Sequence, residues 1–242
     1  MTDIDPTTPL GVIVTEHPAL AGDLERLGLD YCCGGRRSLG DACAEQGLDV
    51  NSVVDDLSAG ARHAPPEDWA SMGPAQLVDH IEATHHAHLH AELPRIEALA
   101  AKVDSVHGDR HPELAFIRAT FDELALELEP HLAREEQILF PMIRELAGAP
   151  DDLPAPSFHC GSLSNPIRVM LVDHDRAGEL LDQLRGLTSG YVTPDDACAS
   201  YTALYEALAA LEADTHLHVH KENNVLFPAV LELDTRRREV AG

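Results

Sequence analysis

Residues 131–141 read HLAREEQILFP, and residues 218–228 read HVHKENNVLFP. Each stretch sets a histidine and a glutamate one helical turn apart and follows them with an apolar run closed by Phe-Pro. His131 and Glu135 in the first correspond to His218 and Glu222 in the second, and Phe140/Pro141 to Phe227/Pro228. The offset is constant, since 218 − 131 = 87 and 227 − 140 = 87. A fixed offset between two long helical segments predicts a duplicated helix pair. Short connections close such a pair into an up-down-up-down four-helix bundle with one shared core.

Working outward, four segments carry helical periodicity, and each opens near a proline, where the missing amide proton costs nothing. Pro74, Pro112, Pro166 and Pro194 mark helices at about 74–105, 111–147, 165–188 and 194–235. Asn165 and Thr193 stand as N-caps, and Asp195 and Asp196 suit the positive end of a helix dipole. Upstream, residues 10–61 read as short helical pieces separated by glycines. The expected organisation is all-α: a small helical cysteine-containing domain over 1–62, a breaker-rich linker over 63–73, and the bundle over 74–242. The segment 148–164, GAPDDLPAPSFHCGSLS, is long for a bundle connection and reads as a surface loop rather than a lid.

The 242-residue chain has a formal charge of −25, which would repel phosphate backbones and anionic lipid; neither nucleic acid nor membrane is an expected partner. MTDIDPTTPL lacks a basic start and a long apolar core, so a cytoplasmic location is expected. The five cysteines, 32, 33, 43, 160 and 198, form no secreted-scaffold pattern and read as reduced thiols. Cys43 and Cys198 lie in helical patterns and read as packing residues, while Cys160 is unassigned.

Residues three, four or seven apart share a helix face. His131 falls on the stripe of Leu124, Leu128 and Ile138, and Glu135 on that of Ile138, Leu139 and Met142. His218 is in phase with Leu204, Leu208, Leu211 and Val225. One histidine on an apolar face is more often a satisfied core residue than a ligand. Two buried carboxylates, repeated, require compensation, because an ionised carboxylate without a partner costs several kcal/mol. A bound cation supplies it.

The third helix offers His174, in phase with Ala177, Leu181 and Leu184. The first offers His80, His85, His86, His88 and His90. His86 matches best, meeting Leu89, Leu93 and Ile96 at the same steps, but His85 shares a stripe with Leu77, Ile81 and Leu89, and periodicity leaves both open. Asp173 reads as a surface acid. Four imidazoles and two carboxylates without thiolate favour iron or manganese over structural zinc. Six ligands exceed the need of one tetrahedral ion and fit two ions bridged by Glu135 and Glu222.

Four motifs in order, DYCCGG at 30–35, HLAREEQILFPMI at 131–143, NPIRVMLVDHDRAGELL at 165–181 and HVHKENNVLFP at 218–228, carry a resemblance over nearly the whole chain. It resembles the di-iron proteins for repair of iron centres (YtfE/ScdA/DnrN type), in which a hemerythrin-like bundle follows a short cysteine module. The resemblance implies two non-haem irons, oxo- and carboxylate-bridged, with His86, His131, His174 and His218 as terminal ligands and Glu135 and Glu222 as bridges. It implies restoration of iron–sulfur clusters damaged by nitrosative or oxidative stress, with damaged iron–sulfur proteins as partners. It makes Cys32 and Cys33 a functional thiol pair. Independently of family, Gly34 and Gly35 would let backbone approach closely, and the guanidinium groups of Arg36 and Arg37 favour thiolate, but the same residues read equally well as a tight turn with two semi-buried cysteines.

Iron donation and a nitric oxide reductase-like activity are alternative mechanisms. A dioxygen- or nitric-oxide-binding module is the competing function, for which DYCCGG would be superfluous. A histidine-rich nickel or zinc buffer is a third. The sequence leaves open whether the two domains meet within one chain or across a homodimer.

Overall fold

The computed structural model describes residues 4–61, 68–150 and 156–239. All regular structure among them is helical: α1 (Leu10–Glu16), α2 (Ala21–Arg26), α3 (Leu39–Gln46), α4 (Val50–Ala61), α5 (Pro74–Ile81), α6 (Ala87–His107), α7 (Glu113–Arg134), α8 (Phe140–Gly148), α9 (Ser164–Leu187), α10 (Ala199–His220) and α11 (Phe227–Glu239). Three π-helical turns, Glu82–His86, Glu135–Leu139 and Lys221–Leu226, lie between α5 and α6, α7 and α8, and α10 and α11. No helix among the described residues is long and apolar enough to cross a membrane. Residues 63–67 of the expected linker and 151–155 of the expected surface loop lie outside the described residues.

The chain divides into two compact units, the first formed by Met1–His80, Met142–Ser164 and His216–Gly242 and the second by Ile81–Pro141 and Asn165–Thr215. The second holds the four-helix packing. Leu89, Leu93 and Ile96 of α6, Leu114, Phe121 and Leu128 of α7, Leu180, Leu181 and Leu184 of α9, and Leu204, Leu208 and Leu211 of α10 share one buried core. Neighbouring helices run antiparallel. Arg118 at the start of α7 pairs with Asp104 near the end of α6, Arg134 at the end of α7 pairs with Asp173 in the first half of α9, and Lys102 near the end of α6 reaches Ser200 at the start of α10.

In the first unit, α1–α4 enclose a core of Leu10, Ile13, Leu24, Leu29, Tyr31, Leu39 and Leu57, to which Val219 of α10 also belongs. Ser38 caps α3, its hydroxyl accepting the Asp41 amide. The described end of the long loop is fastened by α11: Ser162 donates to Asp234 across 2.9 Å, and Arg238 donates to the Gly161 carbonyl oxygen.

Two helix starts differ from expectation. The third begins at Ser164, so Asn165 lies inside it rather than capping it, and the fourth begins at Ala199 instead of Pro194. Residues 194–198 form a turn in which Asp196 pairs with His111 and Arg110 rather than serving a helix dipole. Cys198 is therefore an exposed residue just ahead of α10, not a packing residue.

Candidate metal centre

The π turns coincide with the residues expected to carry the chemistry. Glu135 opens one, Glu222 is the second residue of another, and His85 and His86 close the third. Each turn is flanked by right-handed helical backbone, so the helix widens by one residue and resumes. Pro141 and Pro228 give a local reason for two of them. A proline ring inside a helix clashes with the carbonyl four residues earlier and lacks its own donor, and a widened turn immediately before it removes both conflicts.

The widening shifts the phase of every stripe by one position. Ile138, expected on the buried stripe, is 45% exposed, while Leu139 and Phe140 are buried. Val225 is likewise only half-buried and Leu226 takes its place. In the π turn before α6 both His85 and His86 are buried, which is why periodicity could not separate them.

All six expected ligands, His86, His131, Glu135, His174, His218 and Glu222, are at most 2% exposed. Four meet within the second unit. A single carboxylate oxygen, Glu135 Oε2, lies 3.4 Å from His86 Nε2 and 3.3 Å from His131 Nε2. His174 Nε2 lies 3.3 Å from His131 Nε2. Within the first unit, His218 Nε2 lies 3.2 Å from Glu222 Oε1. Helical geometry produces both His–Glu contacts, since residues i and i+4 stack on one face.

The outer nitrogens of His86 and His131 are held by acids. His86 Nδ1 lies 3.0 Å from Glu136 Oε1, an oxygen that His90 Nε2 also approaches to 2.8 Å, and the ring stacks on Phe140. His131 Nδ1 lies 3.4 Å from Asp173 Oδ2, itself 2.7 Å from the Arg134 guanidinium. The bond to His131, reinforced by Arg134, holds the Asp173 carboxyl below the usual carboxylate range despite its burial. Burial works to raise the Glu136 carboxyl, but His90 and His86 overcome it and it too lies below the ordinary value. Asp173 is thus no bystander: it sets the ring of His131. His85 is buried too, but its Nδ1 lies 2.9 Å from Asp214 Oδ1 rather than beside Glu135. Sequence reasoning missed Glu136 and Asp214. Their one signal was position: Glu136 follows Glu135, and Asp214 stands four residues before His218.

The donors fit a first-row metal ion. Two imidazole nitrogens on neighbouring positions of one ion, each about 2.1 Å from it, stand roughly 3 Å apart, close to the separations found. Among the described residues, the groups that could hold an ion contain only histidine and glutamate. Without thiolate, that chemistry suits iron or manganese.

Cys32 and Cys33 lie in the first unit, their Sγ atoms 3.9 Å apart. The loop is built around Asp30, whose carboxylate accepts the amides of Cys32, Cys33 and Gly34 and lies 3.2 Å from Cys32 Sγ. The expected help from arginine is not given to Cys32: Arg37 pairs with Glu45, and Arg36 is exposed. The neighbouring Cys33 thiol, then burial and the Asp30 charge, push Cys32 well above the ordinary thiol value, so it is a thiol rather than a thiolate.

Asn224, in the π turn that carries Glu222, donates from Nδ2 to the carbonyl oxygens of Tyr31 and Cys32 at 3.2 and 3.0 Å. A side chain on Gly35 would meet Asn224 Oδ1 at 2.5 Å, and one on Gly11 would meet it at 2.9 Å. The close approach that Gly35 permits is therefore made by Asn224. His220, also under this loop, packs its ring edge-on to Tyr31 and Trp69. Burial pushes its pKa down to about 4, leaving the ring neutral.

Comparison with known proteins gives two family matches and a set of full-length relatives. Residues 77–230 match the family described as hemerythrin HHE cation binding domain. Residues 6–61 match the ScdA_N family, a domain of unknown function (DUF542). The chain is 34% identical over 223 residues to the iron-sulfur cluster repair protein YtfE of Escherichia coli O157:H7, covering 92% of this chain and 96% of the relative. The same identity and coverage hold for the YtfE proteins of Escherichia coli O1:K1 / APEC and Escherichia fergusonii.

Proposed function

The chain belongs to the hemerythrin HHE cation binding domain family and is related over nearly its whole length to iron-sulfur cluster repair proteins, and from this we propose that it restores damaged iron–sulfur clusters with a pair of iron ions. The irons would be held by the imidazoles of His86, His131, His174 and His218 and the carboxylates of Glu135 and Glu222. The observation that carries it is the fully buried Glu135 carboxylate, one oxygen of which is approached by two imidazole Nε2 atoms.

When bound, the irons would supply open coordination positions for nitric oxide or dioxygen. The chain's own residues hold and orient. Asp173 and Glu136 fix the outer nitrogens of His131 and His86, directing each Nε2 inward, and Phe140 excludes water from one face of His86. Residues 1–62 are read as the client-facing module and 74–242 as the iron-holding bundle, with damaged iron–sulfur proteins in the cytoplasm as partners. Asn224 ties the Cys32 backbone to the turn bearing Glu222, so the thiol pair and one bridging acid share a rigid mount.

Metal analysis of untagged protein tests the reading, with about two irons per chain expected from the two-metal geometry. Glu135→Gln and Glu222→Gln should each lose iron. Rescue of an enzyme whose cluster was damaged by nitric oxide should require the iron-loaded chain. Iron leaving during rescue supports donation; iron retained while gas is consumed supports nitric oxide processing. Variable nickel or zinc in place of iron, or full rescue by the stripped chain, would overturn the proposal. Reversible dioxygen binding with rescue untouched in the Cys32→Ser/Cys33→Ser chain would favour a gas-binding module instead.

A further inference from the structure

At the end of the second unit, roughly 30 Å along α6 from His86 at 1.5 Å per residue, stands a second nucleophile with no part in the metal chemistry. Cys198 is exposed, immediately before the first turn of α10. His107, the last residue of α6 and 5% exposed, brings Nε2 to 3.2 Å from Cys198 Sγ. The tautomer follows from the other nitrogen. Arg110 Nη2 lies 3.4 Å from His107 Nδ1, and a guanidinium can only donate, so Nδ1 accepts. The proton of the neutral ring is therefore on Nε2, aimed at the sulfur. The Tyr201 and His111 rings pack against His107 and hold its plane.

The start of α10 adds to the same atom. The backbone amide of Tyr201 does most to hold the Cys198 thiol below its ordinary value; burial opposes it, and the Ser200 amide and the Lys102 charge help. The other charges facing this end are largely spent on one another: His111 and Arg110 on Asp196, and His111 on Glu113. A buried imidazole N–H thus meets one accessible sulfur just ahead of a helix, which is the environment of a reactive cysteine.

We propose that Cys198 and His107 form a thiol-modification site whose substrate class is low-molecular-weight disulfides. The Cys198 thiolate, its proton released to solvent, attacks one sulfur of the small disulfide along the S–S axis. A bond forms between Cys198 Sγ and that sulfur, the original S–S bond breaks, and the departing thiolate takes a proton from water. Cys198 is oxidised to a mixed disulfide while one small thiol is released, and no other oxidant is needed. Donation from His107 Nε2, with the positive start of α10 behind it, stabilises the attacking sulfur.

Glutathione disulfide, added in limiting amount to the iron-loaded full chain at neutral pH, tests this by peptide mapping of the modified cysteine. Cys198 should be modified first, severalfold ahead of Cys33 and Cys160, because exchange rate follows the thiolate fraction and access of the attacking sulfur. His107→Leu should slow the reaction by a similar factor, whereas His107→Gln, which keeps an N–H donor, should restore most of it. The iodoacetamide alkylation rate of Cys198 against pH needs no variant, and should show its inflection below about 8.5. Modification of Cys33 or Cys160 ahead of Cys198, an inflection at or above that value, or an unchanged rate in folded His107→Leu overturns the proposal.

Discussion

Asn224 Nδ2 donates to the carbonyl oxygen of Cys32 across 3.0 Å, two residues beyond Glu222 in the same π turn. The cysteine loop is thereby fastened by its backbone, which leaves both thiol side chains free of the attachment. Glycine at 11 and 35 is what the Asn224 side chain requires, since a Cβ at either position would overlap it.

Asn224→Ala should therefore loosen the loop without altering the core beneath it. Two buried carbonyls would lose a donor, at about 1–3 kcal/mol for each left unsatisfied. The expected outcome is a lower melting temperature together with faster alkylation of Cys32, read by peptide mapping. Unchanged protection of Cys32 would show that the asparagine does not hold the loop.

His85 and His86 separate in a simple substitution pair. His86 Nε2 faces Glu135, whereas His85 is engaged with Asp214. His86→Gln should lose iron from the purified chain, and His85→Gln should retain it while losing some stability. Loss of iron from the His85 variant alone, measured by elemental analysis, would reverse the assignment.

Asp173→Asn keeps the shape of the acid but removes the charge that orients His131 and pairs with Arg134. Partners of metal-bound histidines typically contribute about 10–100-fold in metal affinity. Competition with a chelator should show a loss in that range, with far-ultraviolet circular dichroism unchanged.

His111 joins the α6–α7 corner to the turn before α10, and its pKa is raised first by Glu113 and then by Asp196. The stabilisation is present where the unfolded histidine is still protonated, below about 6.5, and disappears as pH rises through the higher folded value. Asp196→Asn should lower the His111 pKa in an NMR titration, and its melting deficit should be larger at pH 6 than at pH 9. A deficit independent of pH would assign the contact a purely packing role.

The helical period is a property of the backbone, so the sequence carried the parts that depend on it. The four long helices, the duplicated His–Glu step and the burial of His86, His131, Glu135, His174, His218 and Glu222 all follow from spacing by three, four and seven. The Phe-Pro closures even marked two of the π turns, though not as turns. Within those turns the period failed, because one inserted residue rotates everything after it: Ile138 went out while Leu139 stayed in, and His85 and His86 both faced the core.

What only the tertiary structure decided is which side chains from distant stretches of chain meet, because no spacing rule fixes contacts across elements. Asp173 became the partner of His131 when α9 packed against α7. The charge at Cys32 was settled by Asp30 folding under its own loop while Arg37 turned to Glu45. Cys198 left its expected helix, and its encounter with His107 required the end of α6 to lie beside the start of α10.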